Sequence, residues 1–119
     1  MNIVIVDDDR IHRTVLRVEL TRAGHRVIEV QPSSVLDVLA ILREQGPDLL
    51  VADYEMPHCN GESLIRAVRE DPVLKDMRIL MVSAHCDPEL VERLGRWDLC
   101  GYLVKPFSPE ALAAVLKHC

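Results

Sequence analysis

Short apolar segments alternate with longer segments of mixed polarity along the chain. Four of the apolar segments are continuous and lie at positions 3–6, 49–52, 79–82 and 102–104. Continuous hydrophobicity is typical of strands that are covered on both faces, as in parallel sheets. A fifth segment, 26–30, alternates between apolar and charged residues, which indicates a strand at an edge of the sheet.

The stretches between these segments have helical periodicity and recognisable ends. The first carries an apolar stripe and stops at a glycine, Gly24, which is a helix C-terminal signal. The stripe consists of Ile11, Val15 and Val18, with Leu16 and Leu20 beside them. The second stretch opens with Ser34 and Asp37, which resemble a capping box, and ends at Gly46.

The last two helices have the clearest starts. Asp87 and Ser108 each precede a proline and a glutamate, so a capping side chain stands before a proline at the first helical position. With a third helix around Leu64 and Val68, the chain consists of five consecutive βα units. Right-handed crossovers then give a doubly wound, three-layer α/β fold. We expect one domain, residues 1–119, with the flavodoxin-like strand order 2-1-3-4-5.

Composition and charge argue against several functional classes for this protein. The chain has 119 residues, of which 49% are hydrophobic, and a formal net charge of −5, which argues against sequence-independent binding to nucleic acid or to anionic membranes. No apolar run has the length of a membrane span, and the N-terminal apolar run is too short for a signal peptide. We therefore expect a cytoplasmic protein. Its four cysteines lack Cys-x-x-Cys spacing, and we expect reduced thiols.

Polar residues follow the predicted strands at the points where these strands end. Asp7, Asp8 and Asp9 follow the first strand and Asp53 follows the third, while Ser83 and Lys105 follow the fourth and fifth. Ligands of such sheets bind beyond the carboxyl ends of the strands, at the switch point between strands 1 and 3. Of the three consecutive acids, Asp9 is expected to cap the first helix rather than to enter the site.

Carboxylates gathered at this switch point need a compensating charge. Two of them repel by roughly 4 kcal/mol at 4 Å and an effective dielectric of 20. An oxygen-only set suits a hard cation, and Mg²⁺ requires few protein ligands. With a lysine and a hydroxyl at its margin, such a site can hold a phosphoryl group, and a carboxylate can act as the nucleophile.

These features together resemble the receiver domain of two-component response regulators over essentially the whole chain. Four motifs carry the resemblance: Ile3-Val4-Ile5-Val6-Asp7-Asp8, Asp53-x-x-Met56-Pro57-x-x-x-Gly61, Ser83-Ala84 and Lys105-Pro106-Phe107. Each motif stands at the end of its expected strand. The resemblance implies a signalling module, not an enzyme with a separate substrate, that accepts a phosphoryl group from a histidine kinase or a phosphotransfer protein.

The resemblance also implies a role for each acidic residue. Asp53 is expected to be the phosphoacceptor. Asp8 and Asp53 are expected to bind Mg²⁺ directly together with the backbone carbonyl of Glu55, and Asp7 through a water molecule. Glu55 and His85, two positions beyond Asp53 and Ser83, are expected to influence how long the phosphate survives, although exposed positions without such a role are an equal alternative.

The remaining roles concern switching. Ser83 is expected to donate its hydroxyl to the phosphoryl oxygens, and Lys105 to pair with the phosphoryl group. Pro106 is expected to follow a cis peptide bond. Tyr102 stands at the position of the family's switch aromatic, with simple packing as the alternative. The signalling surface for a downstream effector is expected from Asp87 onward, over the fourth helix, the fifth strand and the fifth helix.

Three alternatives accompany this interpretation. The dipeptide His-Cys occurs at 58–59, 85–86 and 118–119, and imidazole with thiolate from the first two, on neighbouring loops, could bind zinc. A phosphatase of the haloacid dehalogenase type also uses an aspartyl phosphate, but its Asp-x-Asp motif continues with a Thr or Val that this chain lacks. A receiver that is never phosphorylated could serve as an interaction domain. The oligomeric state is expected to be a monomer or a phosphorylation-linked dimer.

Overall fold

The computed structural model of the protein describes residues 1–57, 59–85 and 87–119. Strands and helices alternate through these residues. The strands are β1 (Asn2–Val6), β2 (Arg26–Val30), β3 (Leu49–Asp53), β4 (Arg78–Ser83) and β5 (Gly101–Val104). The helices are α1 (Arg10–Arg22), α2 (Val35–Gln45), α3 (Gly61–Glu70), α4 (Pro88–Gly95) and α5 (Pro109–Leu116).

The strands form one parallel sheet in the order β2-β1-β3-β4-β5. The predicted fold class, strand order and edge position of β2 are therefore confirmed. The predicted caps are also present. Asp9 accepts hydrogen bonds from the amides of Ile11 and His12, and Ser108 accepts one from the amide of Ala111.

Helices cover both faces of the sheet. One hydrophobic cluster joins the sheet to α2, α3 and α4, and a second joins the other face to α1 and α5. This three-layer arrangement buries the strands completely in the centre: every residue of β3 is buried. Such burial explains why the central strands are continuously apolar in sequence.

The predicted apolar stripe of α1 divides into two opposite sides of the helix. Leu16 and Leu20 are buried, whereas Ile11, Val15 and Val18 are 72%, 45% and 37% exposed. At 100° per residue the two groups lie roughly 150° apart around the helix axis, so both cannot face the sheet. The prediction of a single stripe was wrong, and α1 presents an apolar face to solvent.

The prediction of four reduced thiols was also wrong, because Cys100 and Cys119 form a disulfide. Helix α5 packs so tightly on β5 that a Cβ atom at Gly101 would lie 2.3 Å from Cγ2 of Val115. Cys119, three residues beyond the end of α5, is thereby brought beside Cys100, the residue before β5, with 5.2 Å between their Cα atoms. Cys59 is a free, buried thiol, and Cys86 lies outside the described residues.

No helix among the described residues has both the length and the apolar character needed to cross a bilayer.

Candidate functional site

Strand pairing brings the predicted acidic residues together. Val6 pairs with Ala52 across β1 and β3, so the next residues, Asp7 and Asp53, leave the sheet side by side. Carboxylate oxygens of Asp7, Asp8 and Asp53 lie within 4.8 Å of one another. Asp7 and Asp53 are only 1% and 3% exposed, and Asp8 is half-buried. Their negative charges are therefore concentrated at a largely dry edge of the sheet.

The loop after β3 folds back over Asp53. The amide of Tyr54 donates to the carbonyl of Val82, and the amide of Gly61 donates to the carbonyl of Tyr54. A Cβ atom at Gly61 would lie 2.6 Å from Cα of Tyr54 and 2.7 Å from the carbonyl oxygen of Asp53. Only glycine permits this approach of two backbone segments. The loop is thus held tightly against the acidic cluster.

Lys105 supplies the opposite charge. Its Nζ lies 3.0 Å from Oδ1 of Asp53 and 3.6 Å from Oδ2 of Asp7, and the side chain is 12% exposed. The amide of Lys105 donates to the carbonyl of Ser83, and the peptide bond between Lys105 and Pro106 is cis. A largely buried ammonium group is costly unless an anion faces it. The carboxylates of Asp53 and Asp7 are the anions that face it.

The ammonium group of Lys105 leaves one buried carboxylate oxygen of the cluster without a hydrogen bond. Oδ2 of Asp7 is buried and has no hydrogen-bond partner among the described residues. A buried carboxylate oxygen without a donor is unfavourable, and a hard cation bound by oxygen ligands would relieve it. The orphaned oxygen and the all-oxygen donor set of Asp7, Asp8 and Asp53 therefore fit Mg²⁺.

The protonation of Asp53 reflects the same crowding. The pKa of Asp53 is raised to about 7, first by burial and second by the neighbouring charge of Asp7, while Lys105 opposes both effects. Without a bound cation, a proton and the lysine share the task of balancing the carboxylates. A ligand that displaces the proton from Asp53 must therefore bring positive charge of its own to balance the carboxylates.

The side chains of Glu55 and Ser83 are hydrogen-bonded to each other in this structure. The Ser83 hydroxyl lies 2.5 Å from Oε1 of Glu55 and donates to it, while the Ala84 amide donates to both Glu55 oxygens at 3.2 and 3.3 Å. Burial acts to raise the pKa of Glu55, but these hydrogen bonds outweigh it and the pKa is lowered. Glu55 is therefore an ionised carboxylate.

His85 and Tyr102 extend this network outward. The His85 amide donates to the Ser83 hydroxyl oxygen, and Nε2 of His85 lies 3.6 Å from Oε1 of Glu55. The Tyr102 hydroxyl donates to the His85 carbonyl at 2.9 Å. Tyr102 is thus linked through the 83–85 segment to the site.

Sequence reasoning missed His12. Its Nδ1 lies 3.1 Å from Nζ of Lys105 and 3.5 Å from Oδ2 of Asp9. The signal was available, because a residue three positions after a helix cap lies in the first turn, next to the acidic cluster. The contact between His12 and Lys105 joins residues 93 positions apart in the chain and has no local signal.

The proposed zinc ligands do not assemble in the part of the chain that the structure describes. Cys59 is buried in the core, and His85 lies against Glu55. Neither belongs to a cluster that could hold a metal among residues 1–57, 59–85 and 87–119. The other two candidates, His58 and Cys86, lie outside the described residues.

Comparison with known proteins supports the resemblance found in the sequence. Residues 3–117 match the family model of the response regulator receiver domain. The chain is 33% identical to the chemotaxis protein CheY of Pseudomonas aeruginosa over 112 residues, 94% of this chain and 90% of that protein. It is 29% identical to a CheY homolog of Campylobacter jejuni over 117 residues, 98% of this chain and 90% of that protein.

Among solved structures, the fold is similar to that of the chemotaxis protein CheY4 of Vibrio cholerae. The TM-score is 0.87 at 29% sequence identity, and the match covers 98% of this chain and 95% of that one.

Proposed function

This chain belongs to the response regulator receiver domain family, and we propose that it is a phosphoacceptor in which Asp53 receives a phosphoryl group. Receiver domains are signalling modules that work with histidine kinases or phosphotransfer proteins and with downstream effectors. One observation carries the assignment to Asp53: its buried carboxylate pairs with Lys105 at 3.0 Å and lies within 4.8 Å of carboxylate oxygens of Asp7 and Asp8. Membership of this family removes the haloacid dehalogenase alternative.

The chemistry is a transfer from nitrogen to oxygen. A carboxylate oxygen of Asp53 attacks the phosphorus atom of a phosphohistidine, so that a P–O bond forms and the P–N bond breaks. The histidine nitrogen leaves with the bonding electron pair and takes up a proton. Lys105 faces the reacting carboxylate and pairs with the incoming phosphoryl oxygens. Asp53 must be ionised for this attack.

The acidic residues would hold Mg²⁺. Asp8 and Asp53 would bind it directly with the backbone carbonyl of Glu55, and Asp7 would bind it through water. When bound, the ion supplies positive charge that offsets the phosphoryl oxygens. The lack of a hydrogen-bond donor to Oδ2 of Asp7 among the described residues and the pKa of about 7 for Asp53 support a need for such a cation.

The phosphodonor protein is proposed to contact α1. Its exposed apolar residues Ile11, Val15 and Val18 begin in the first turn, directly after the cap Asp9 that follows the acidic pair. A macromolecule that delivers a phosphoryl group to Asp53 must reach this margin of the site. The effector is proposed to contact the surface of α4, β5 and α5, which Tyr102 links to Ser83. The cytoplasm is the proposed location.

Phosphorylation by a small donor tests the assignment. The protein is incubated with Mg²⁺ and acetyl phosphate, and intact mass spectrometry counts the phosphoryl groups. One phosphoryl group is expected on the parent protein and on Asp76→Asn, which changes an exposed aspartate away from the site. None is expected on Asp53→Asn. Equal labelling of Asp53→Asn, or no labelling of the parent protein, contradicts the proposal and favours a receiver that is never phosphorylated.

A further inference from the structure

The Glu55 carboxylate lies where a phosphoryl group on Asp53 would find its hydrogen-bond donors. Strand β4 pairs with β3 so that Asp53 faces Val82, and Ser83 and Ala84 therefore follow at the same edge of the sheet. The Ser83 hydroxyl and the Ala84 amide are the donors that β4 directs toward this edge. Both donate to Glu55.

The Glu55 carboxylate accepts hydrogen bonds from both of these donors. Its Oε1 accepts from the Ser83 hydroxyl at 2.5 Å, and the amide of Ala84 lies 3.2 and 3.3 Å from its two oxygens. The backbone of Glu55 is also anchored, because its amide lies 3.3 Å from Oδ1 of Asp53 and donates to it. A two-oxygen anion beside the phosphoacceptor thus takes hydrogen bonds that a phosphoryl group would otherwise receive.

The hydroxyl of Ser83 has a single proton, and this proton is already used. Its oxygen accepts from the amide of His85 at 3.0 Å, so the hydroxyl group is held from both sides. A phosphoryl oxygen can receive the Ser83 proton only after the Glu55 carboxylate has moved. The side chain has a way out, because it is 33% exposed and its outer neighbour His85 is 63% exposed.

We propose that Glu55 is an internal anion that competes with the phosphoryl group for the Ser83 hydroxyl and the Ala84 amide. The side chain must leave these donors when Asp53 is phosphorylated, and it returns when the phosphoryl group is lost. Glu55 thereby weakens retention of the phosphoryl group and gives the 83–85 segment two alternative anionic partners. The inference rests on the proposed function, since it requires a phosphoryl group on Asp53.

Beryllofluoride, a phosphoryl mimic that binds without a covalent transfer from a donor, is the probe. Its affinity in the presence of Mg²⁺ is measured by isothermal titration calorimetry for the parent protein, Glu55→Ala and Glu55→Gln. Glu89→Gln is the charge-matched control, because Glu89 is exposed in the first turn of α4. We expect about tenfold tighter binding for Glu55→Ala, since charge-assisted hydrogen bonds no longer have to be broken. Glu55→Gln should be intermediate, and Glu89→Gln should equal the parent.

A second measurement needs neither metal nor mimic. In metal-free protein, the amide proton resonance of Ala84 should move upfield in Glu55→Ala, because the amide loses a carboxylate acceptor, and should not move in Glu89→Gln. The same spectra show whether each variant is folded.

The outcomes separate the two proposals. If the parent protein binds beryllofluoride through Asp53 but Glu55→Ala binds no more tightly, only the role of Glu55 is overturned. An equal gain in Glu89→Gln also overturns it, because the effect is then general electrostatics. If no variant binds, or if Asp53→Asn binds as well as the parent, both proposals are lost.

Discussion

Lys105 Nζ lies 3.0 Å from Oδ1 of Asp53, so the end of β5 supplies the cation for a carboxylate at the end of β3. The two strands are not neighbours in the sheet, since β4 lies between them. The lysine must therefore reach across the carboxyl edge, and Asp7, 3.6 Å away, also lies within its range. This contact places a positive and a negative charge side by side at the carboxyl edge of the sheet.

Removal of this cation should destabilise the metal-free protein. Lys105→Met leaves buried carboxylates without their partner, and we expect a loss of about 3 kcal/mol in the free energy of unfolding at pH 8. Urea unfolding measures the loss, with Lys75→Met as an exposed control. Mg²⁺ should restore part of the stability. Equal stability of the two variants would show that the ion pair contributes nothing.

Replacement of Asp53 should alter how stability depends on pH. The folded-state pKa of about 7 lies above the ordinary aspartate value of 3.8, so the folded protein retains a proton that the unfolded chain releases. Stability from this proton is fully present below pH 3.8 and is lost as the pH rises toward 7. The difference amounts to at most about 4 kcal/mol.

Asp53→Asn removes this titration, so its metal-free form should gain stability relative to the parent protein as the pH rises from 5 to 8. Glu92→Gln, an exposed change of the same charge on α4, should show no such trend. Chemical denaturation at both pH values provides the comparison. A gain that is independent of pH would show that Asp53 has no raised pKa.

The loop over Asp53 should tolerate no side chain at position 61. Gly61→Ala places a methyl group against backbone atoms of Tyr54 and Asp53, and we expect a loss of about 1–3 kcal/mol together with slower labelling by acetyl phosphate. Gly95→Ala is the matched control, because no atom beyond its chain neighbours and the backbone of its own helix lies within 4 Å of its Cβ position. Gly95→Ala should be neutral or stabilising by up to about 1 kcal/mol. If both variants have parent-like stability and labelling, the loop does not depend on this contact.

The exposed face of α1 should affect only transfer from a protein donor. Ile11→Ser is expected to leave stability and labelling by acetyl phosphate unchanged, and to slow phosphotransfer from a phosphohistidine protein about tenfold. Leu36→Ser is the control, since Leu36 is 76% exposed on α2. Stopped-flow or quenched phosphotransfer measures the rate. Equal rates for the two variants would place the donor elsewhere.

The disulfide should stabilise the fold. Cys100 and Cys119 are separated by 19 residues, and closure of a loop of this size contributes about 3 kcal/mol in the chain-entropy model. Cys100→Ser should therefore unfold at lower urea concentration than the oxidised parent protein. Reductant should lower the midpoint of the parent protein but not that of the variant. A midpoint of the parent protein that does not respond to reductant argues that the bond does not form in solution.

Local patterns in the sequence were sufficient for the fold. The apolar segments are continuous because the central strands are buried on both faces, and caps such as Asp9 and Ser108 act within one helical turn. Acidic residues stand at the carboxyl ends of β1 and β3. Because the two strands are parallel, these acids must lie at the same edge of the sheet. The family motifs then predicted which residues form the site.

Contacts between separate elements were decided only by the tertiary structure. The division of the α1 stripe depends on which side of the helix meets the sheet. The Cys100–Cys119 bond depends on how closely α5 packs on β5. The hydrogen bonds from Ser83 and Ala84 to Glu55 depend on how two loops from neighbouring strands meet. Periodicity and capping are local in the chain, whereas these contacts join side chains whose directions are set by packing, and no local pattern encodes them.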